Sequence, residues 1–246
     1  MATHLALHFQ KAGHRVTCIY SRSGISAQRL AERVGATGTR SPAAVPRESD
    51  FYFACVPDGV VPEVSRRFAG YRGIWLHCAG ALPMDVLAAH PRYGVFYPLQ
   101  TFSRELPLSP DTIPVLVEGS SGEVTGEIRK LAGSVSGTVR PMATPDRLAL
   151  HLAAVFANNF TNHMVHIAQQ ILRKNGIDQQ LIFPLLEETI RKLSAMEAAD
   201  AQTGPALRGD RETMQRHLEL LKAYPEWENL YTFISRNIRD THRESR

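Results

Sequence analysis

Apolar and polar positions in the first half of the chain alternate between a helical and an extended rhythm. Ala2–Ala12 (ATHLALHFQKA) sets Leu5, Ala6 and Phe9 on one helical face and stops at Gly13. Arg15–Tyr20 (RVTCIY) is a short β-branched strand, followed by the loop Ser21-Arg22-Ser23-Gly24. Ser26–Val34 is a second helix ending at Gly35. FYFACV, beginning at Phe51, is apolar on both faces and ends in Pro57-Asp58-Gly59. Val60–Phe68 is helical, and Gly73–Cys78 (GIWLHC) is the next strand, ending in Ala79-Gly80-Ala81. Tyr93–Tyr97 and Pro114–Glu118 are strands, Ser121–Val135 a helix and Thr138–Pro141 a last short strand. Strands that alternate with helices predict βαβ units and a mainly parallel sheet. Strands apolar on both faces agree, because such a sheet is covered on both sides.

From Thr144 the strands stop. TPDRLALHLAAVFANNFTNHMVHIAQQILRKNG holds no Gly or Pro between Pro145 and Gly176. It predicts one helix of roughly 30 residues and roughly 45 Å, with Thr144 as a capping oxygen and Pro145 at the first helical position. Its first half is apolar around the axis (Leu150, Leu152, Val155, Phe156), which predicts burial. Polar groups interrupt it: His151, Val155, Asn158 and Asn162 share one stripe. That stripe is either a buried polar network or the wall of a ligand cleft. Gln179–Met196, Arg211–Tyr224 and Glu226–Thr241 complete a helical second part. The predicted domains are 1–142 and 143–246. A helix apolar on so many sides exceeds what one small domain covers, so a homodimer through the helical domain is expected.

Composition changes this picture little. With 246 residues, 43% hydrophobic and 21% charged, the chain can bury a sizeable core. Its +4 net charge is scattered and no nucleic-acid motif accompanies it, so no nucleic-acid partner is expected. Three cysteines without CxxC spacing read as reduced core residues of a cytoplasmic protein, and neither a metal site nor a membrane span is expected.

The candidate chemistry lies at strand ends, where doubly wound sheets bind ligands. Ser21, Arg22 and Ser23 follow the strand after the first helix. An acidic residue there would hold a ribose 2′-OH, whereas Arg accommodates a 2′-phosphate, so NADP is favoured over NAD. A solvated loop Arg is the plainer alternative. Val56, Pro57 and Asp58 form a turn that either passes under a ribose or merely joins strand to helix. His77 and Gly80 lie where small residues permit close approach to a flat ring, although a lone His is commonly structural. Gln100 and Thr101 place an amide and a hydroxyl at another strand end. In the loop 201–210, Gln202, Thr203 and Arg208 could hold a carboxylate or phosphate, or simply connect helices.

Six segments, VTCIYSRS, HCAGALPMDVL, YGVFYPLQTFS, HLAAVFANNFTNH, PLLEETIRK and AQTGPALRGD, carry a family resemblance that spans nearly the whole chain. It resembles the Rossmann-like proteins with a C-terminal domain of unknown function 2520, often labelled NADP oxidoreductases. The resemblance implies an α/β, Rossmann-type doubly wound parallel sheet followed by an all-helical C-terminal domain. Its architecture is similar to that of pyrroline-5-carboxylate reductase, ketopantoate reductase and β-hydroxyacid dehydrogenases, whose helical domains commonly dimerise. Those relatives use a Lys on the long helix as acid. Here that helix has no Lys before Lys174. The expected activity is hydride transfer between NADP and a small carbonyl or imine substrate. His151 is the candidate proton donor, with Asn158 and Asn162 orienting the substrate and His77 the alternative acid. The missing Lys motivates a rival, a non-catalytic dinucleotide-binding sensor or interaction protein on the same fold.

The opening residues add an expectation. In the resembling family a strand and a G-x-G-N-V turn precede the first helix, and Ala-Thr-His-Leu follows the Val. Here Met1 stands where that Val would be. A GTG codon read as a start would explain it, with roughly ten residues, about one strand and its turn, lying upstream. The chain as sequenced is then expected to bind NADP poorly, for want of a glycine cradle.

Overall fold

The computed structural model describes residues 1–103 and 112–244, and divides the chain into two compact units, Met1–Ala157 and Asn158–Arg246. In the first, the sequence rhythm becomes helices α1 (Ala2–Lys11), α2 (Ile25–Val34), α3 (Val61–Arg67) and α4 (Gly122–Gly133). The strands are β1 (Cys18–Tyr20), β2 (Thr37–Thr39), β3 (Glu48–Ala54), β4 (Arg72–His77), β5 (Tyr93–Pro98), β6 (Val115–Gly119) and β7 (Val139–Pro141). α5 (Thr144–Ala154) closes the unit and runs into a π-helical stretch, Val155–Phe160.

The strands form two sheets, β1-β2 and β3-β4-β5-β6-β7. Among the described residues no ladder joins β1 to β3, so the mainly parallel sheet read from the sequence is divided. Pairing is parallel except between β5 and β6, where Val95 faces Glu118 and Tyr97 faces Leu116. Alternation along the strands builds two cores. Ile74, Leu76, Phe96, Val115 and Val117 pack with Leu5 and Phe9 of α1 and Val124, Ile128 and Leu131 of α4. On the other face Tyr52, Ala54 and Trp75 pack with Val61 of α3, Phe68 and Leu87. Both faces of the sheet are covered, which is why its strands read as continuous apolar runs.

α5 belongs to the first unit because its inner face is bound to the sheet. Arg147, 0% exposed, pairs with Glu118 of β6 and donates to the Leu82 carbonyl. Thr144 donates to Glu118 from both backbone and hydroxyl, at 3.1 and 2.9 Å. The expected capping role of Thr144 is therefore corrected: Ala143 is the N-cap residue, and the threonine hydroxyl is spent on a carboxylate. The outer face of α5 is not buried, since Leu148 and Leu152 are 49% and 57% exposed.

The second unit is helical throughout. It contains α6 (Thr161–Lys174), α7 (Phe183–Leu193), the short α8 (Ala198–Ala201) and α9 (Pro205–Arg208), α10 (Arg211–Leu221) and α11 (Pro225–Glu244). Asp210 caps α10 by accepting from the Thr213 N–H, and Lys174 lies over the Tyr224 ring at 4.5 Å. Within this unit Leu181, Leu185, Ile190, Leu220 and Phe233 are each 60–74% exposed. No helix among the described residues is long and apolar enough to cross a membrane.

Candidate functional site

The carboxyl ends of β4 and β5 carry the densest chemistry in the first unit. β4 ends at His77, which is fully buried on the face opposite α1. Its Nε2 lies 3.3 Å from the Pro83 carbonyl, and its Nδ1 accepts from the Ala79 N–H at 3.2 Å. A carbonyl only accepts, so Nε2 carries the proton and both ring nitrogens are spent on the backbone of the turn that follows. Burial, then the nearby Arg147 charge, lowers the His77 pKa to about 4, so the ring stays neutral. This geometry fits a residue that shapes the 78–83 turn better than one that delivers a proton.

That turn brings Gly80 against the end of β5. A Cβ at Gly80 would lie 2.5 Å from His151 Nδ1 and 2.9 Å from Tyr97 Cζ, so only hydrogen fits there. Above it, the Tyr97 hydroxyl stands 3.1 Å from His151 Nδ1, with the rings edge to face. Tyr97 is buried at the end of β5, and burial raises its pKa, which keeps the phenol protonated. A protonated phenol donating to Nδ1 leaves the imidazole proton on Nε2. His151 reaches this position from the second turn of α5, four residues after the buried Arg147, and is half-buried itself. One helix face thus supplies both the anchor and the imidazole.

The loop after β1 holds a different set. The hydroxyls of Ser21 and Ser23 converge on that of Ser26 at 2.9 and 2.8 Å, and Arg22 is exposed beside them. Three hydroxyls and a guanidinium without a carboxylate suit a phosphate dianion. Gly24, at φ 68°, turns the chain here into α2. After β3, Val56, Pro57 and Asp58 are exposed and lead into α3, with the Val60 N–H bonded to the Pro57 carbonyl at 2.8 Å.

The remaining sequence candidates stand on another loop of the first unit or in the second unit. Gln100 Oε1 accepts from the Thr101 N–H at 2.8 Å, bracing its own loop. Asn158, Asn162, Gln202, Thr203 and Arg208 belong to the second unit. There Asn158 and Asn162 are exposed, and Gln202 donates to the Thr203 carbonyl at 2.8 Å. Sequence reasoning did not single out Tyr97. Its position at a strand end, in a run otherwise apolar, was the available signal. Among the described residues no group of three or more His, Cys, Asp or Glu could hold a metal ion.

Two family models match the chain, and the second begins within the first compact unit. Residues 1–101 match a Rossmann-like domain and residues 113–238 match the domain of unknown function 2520. No curated protein matches the chain. Among solved structures, a "putative NADP oxidoreductase" from Bacteroides fragilis is 37% identical, with a TM-score of 0.93 over 97% of this chain and 94% of that one. A 1-pyrroline-5-carboxylate reductase from Streptococcus pyogenes has 14% identity and a TM-score of 0.64 over 98% and 95% of the two chains. An imine reductase from Myxococcus stipitatus in complex with NADP+ has 18% identity and a TM-score of 0.60 over 100% and 90%. These last two share the fold with this chain.

Proposed function

Because the chain belongs to the family of Rossmann-like proteins that carry the domain of unknown function 2520, we propose that it is an NADP-dependent oxidoreductase acting on a small carbonyl or imine compound. The observation that carries this reading is the Tyr97–His151 pair fixed over Gly80 at the carboxyl edge of the sheet. NADPH, when bound, supplies hydride to the substrate carbon. The protein then supplies a proton to the oxygen or nitrogen that gains electrons. His151 Nε2 is that donor, and Tyr97 sets its tautomer through Nδ1. Ser21, Arg22, Ser23 and Ser26 would hold the 2′-phosphate, and the 56–58 and 78–80 loops would contact the rest of the cofactor. The reductases that share the fold support the substrate class, since both carry out C=N chemistry by name.

The reading is tested by NADPH oxidation against a panel of keto acids, aldehydes and cyclic imines, with wild type and His151→Ala. Loss of one general acid is expected to lower turnover by about 10²–10⁴ while NADPH affinity changes little. Equal turnover would remove His151 from the mechanism. Tight NADPH binding with no turnover across the panel would favour a dinucleotide-dependent binding protein instead.

The protein is also proposed to act as a homodimer through its helical part. Leu181, Leu185, Ile190, Leu220 and Phe233 are exposed in one small unit, more apolar surface than a monomer ordinarily leaves in water. Light scattering at micromolar concentration is expected to return twice the 27.3 kDa chain mass. A monomer mass would contradict it.

A further inference from the structure

Cys55 and Cys78 stand directly beyond the last registered pair of β3 and β4, Ala54 with His77. They are the next pair across a parallel ladder whose strands run about 4.8 Å apart. Both pack on the face that holds Phe53, Leu76 and α1, and their sulfurs are 3.8 Å apart. Strand neighbours at that spacing fall within the Cα separation of about 4.4–6.8 Å that a disulfide spans, and the sulfurs need to close by about 2 Å to bond. Both are free thiols; Cys78 is buried and Cys55 half-buried, so a small oxidant reaches Cys55 first.

We propose that Cys55 and Cys78 are an oxidation site that a peroxide converts into a reversible disulfide. The two thiols are unequal. The hydrogen bond with Cys78 holds the Cys55 thiol below its usual range, whereas the same contact and burial push Cys78 well above it. Cys55 is accordingly the attacking sulfur and Cys78 the resolving one. Cys55 gives up its proton and its thiolate attacks one peroxide oxygen. The O–O bond breaks, leaving a sulfenic acid on Cys55 and a hydroxide that takes a proton to become water. Cys78 then loses its proton and attacks Cys55 Sγ; the S–O bond breaks and a second water leaves. Two thiols and one hydrogen peroxide thus give one disulfide and two waters, with two electrons passing from sulfur to peroxide.

The consequence follows from what each cysteine precedes. Cys55 leads into Val56-Pro57-Asp58, and Cys78 into Ala79-Gly80. Gly80 has no slack, because a Cβ there would lie 2.5 Å from His151 Nδ1. Drawing the two strand ends together shifts both loops and disturbs the imidazole. This coupling rests on the proposed cofactor site; the bond itself does not.

Reduced wild-type protein, treated with hydrogen peroxide, alkylated and digested, tests the site. Mass spectrometry is expected to find Cys55 and Cys78 in one linked peptide, with two of the three thiols lost and both recovered by dithiothreitol. In Cys78→Ser, Cys55 is expected to accumulate as a sulfenic acid that dimedone traps. Over-oxidised Cys55 beside an alkylatable Cys78 in the wild type, or linkage through Cys18, would overturn the proposal. NADPH titration of both forms then tests the coupling. Affinity at least fivefold weaker in the oxidised form supports it, and equal affinity overturns it. Binding to neither form counts against the cofactor assignment, while a linked peptide would still establish the oxidation site.

Discussion

At the scale of single residues, the chemistry depends on which groups are already occupied. His77 and His151 looked alike in sequence, each an imidazole among small or apolar neighbours. The fold separates them, since His77 spends both nitrogens on the turn and His151 spends one on Tyr97. His77 also carries a pH signature. Its folded pKa of about 4 lies below the ordinary 6.5 of the unfolded chain. Between these values the unfolded state binds a proton that the folded state refuses. The contribution is fully present above pH 6.5 and is lost as pH falls towards 4, worth about 3 kcal/mol at roughly 1.36 kcal/mol per pH unit. Urea denaturation at pH 7 and pH 4 should therefore show a larger loss in wild type than in His77→Gln. Parallel losses would mean that His77 is not held neutral. Tyr97 went unnoticed because the extended rhythm made it one more apolar strand position, and only α5 crossing β5 gives its hydroxyl a partner. Cys55 and Cys78 likewise read as separate core residues, 23 positions apart, until register placed them side by side.

At the scale of elements, period and punctuation made most of the fold legible. Apolar runs located β3 to β6, and Gly stops closed the helical runs of α1 and α2. β2 was invisible, because Thr37-Gly38-Thr39 is short and mostly unburied and so has no apolar alternation to display. The helix from Thr144 was foreseen, but not its π-helical stretch at Val155–Phe160. Absence of Gly and Pro predicts a helix without specifying its hydrogen-bond register. The fastening of α5 was equally hidden, since Arg147 resembled an ordinary polar residue of a first turn. Its pair with Glu118 is 1% and 18% exposed at the two side chains. Arg147→Met removes the carboxylate's charged partner, leaving it the two Thr144 donors, and takes the guanidinium donor from the Leu82 carbonyl, so a loss of about 3–5 kcal/mol is expected. The double change Arg147→Met with Glu118→Gln should recover most of it in chemical denaturation. An additive double variant would mean that the two side chains are not coupled.

At the scale of the molecule, the alternation of strands and helices followed by helices alone was enough to read the Rossmann-like and helical parts. The first compact unit nevertheless extends to Ala157, because Arg147, Leu150 and His151 pack on the sheet, a long-range fact that local pattern does not encode. The proposed cofactor choice rests on one loop, an Arg among serines with no carboxylate. The central claim, that this is an NADP-dependent protein, is tested most directly by the ratio of NADPH to NADH affinity. The two cofactors differ only by the 2′-phosphate, so the ratio cancels whatever holds the rest of the dinucleotide. Titrations of wild type and Arg22→Glu at low ionic strength are expected to give NADPH at least about tenfold tighter in wild type, a difference of about 1.4 kcal/mol. In Arg22→Glu that preference is expected to vanish or reverse. Equal affinities in the wild type, or a preference untouched by Arg22→Glu, would contradict the account.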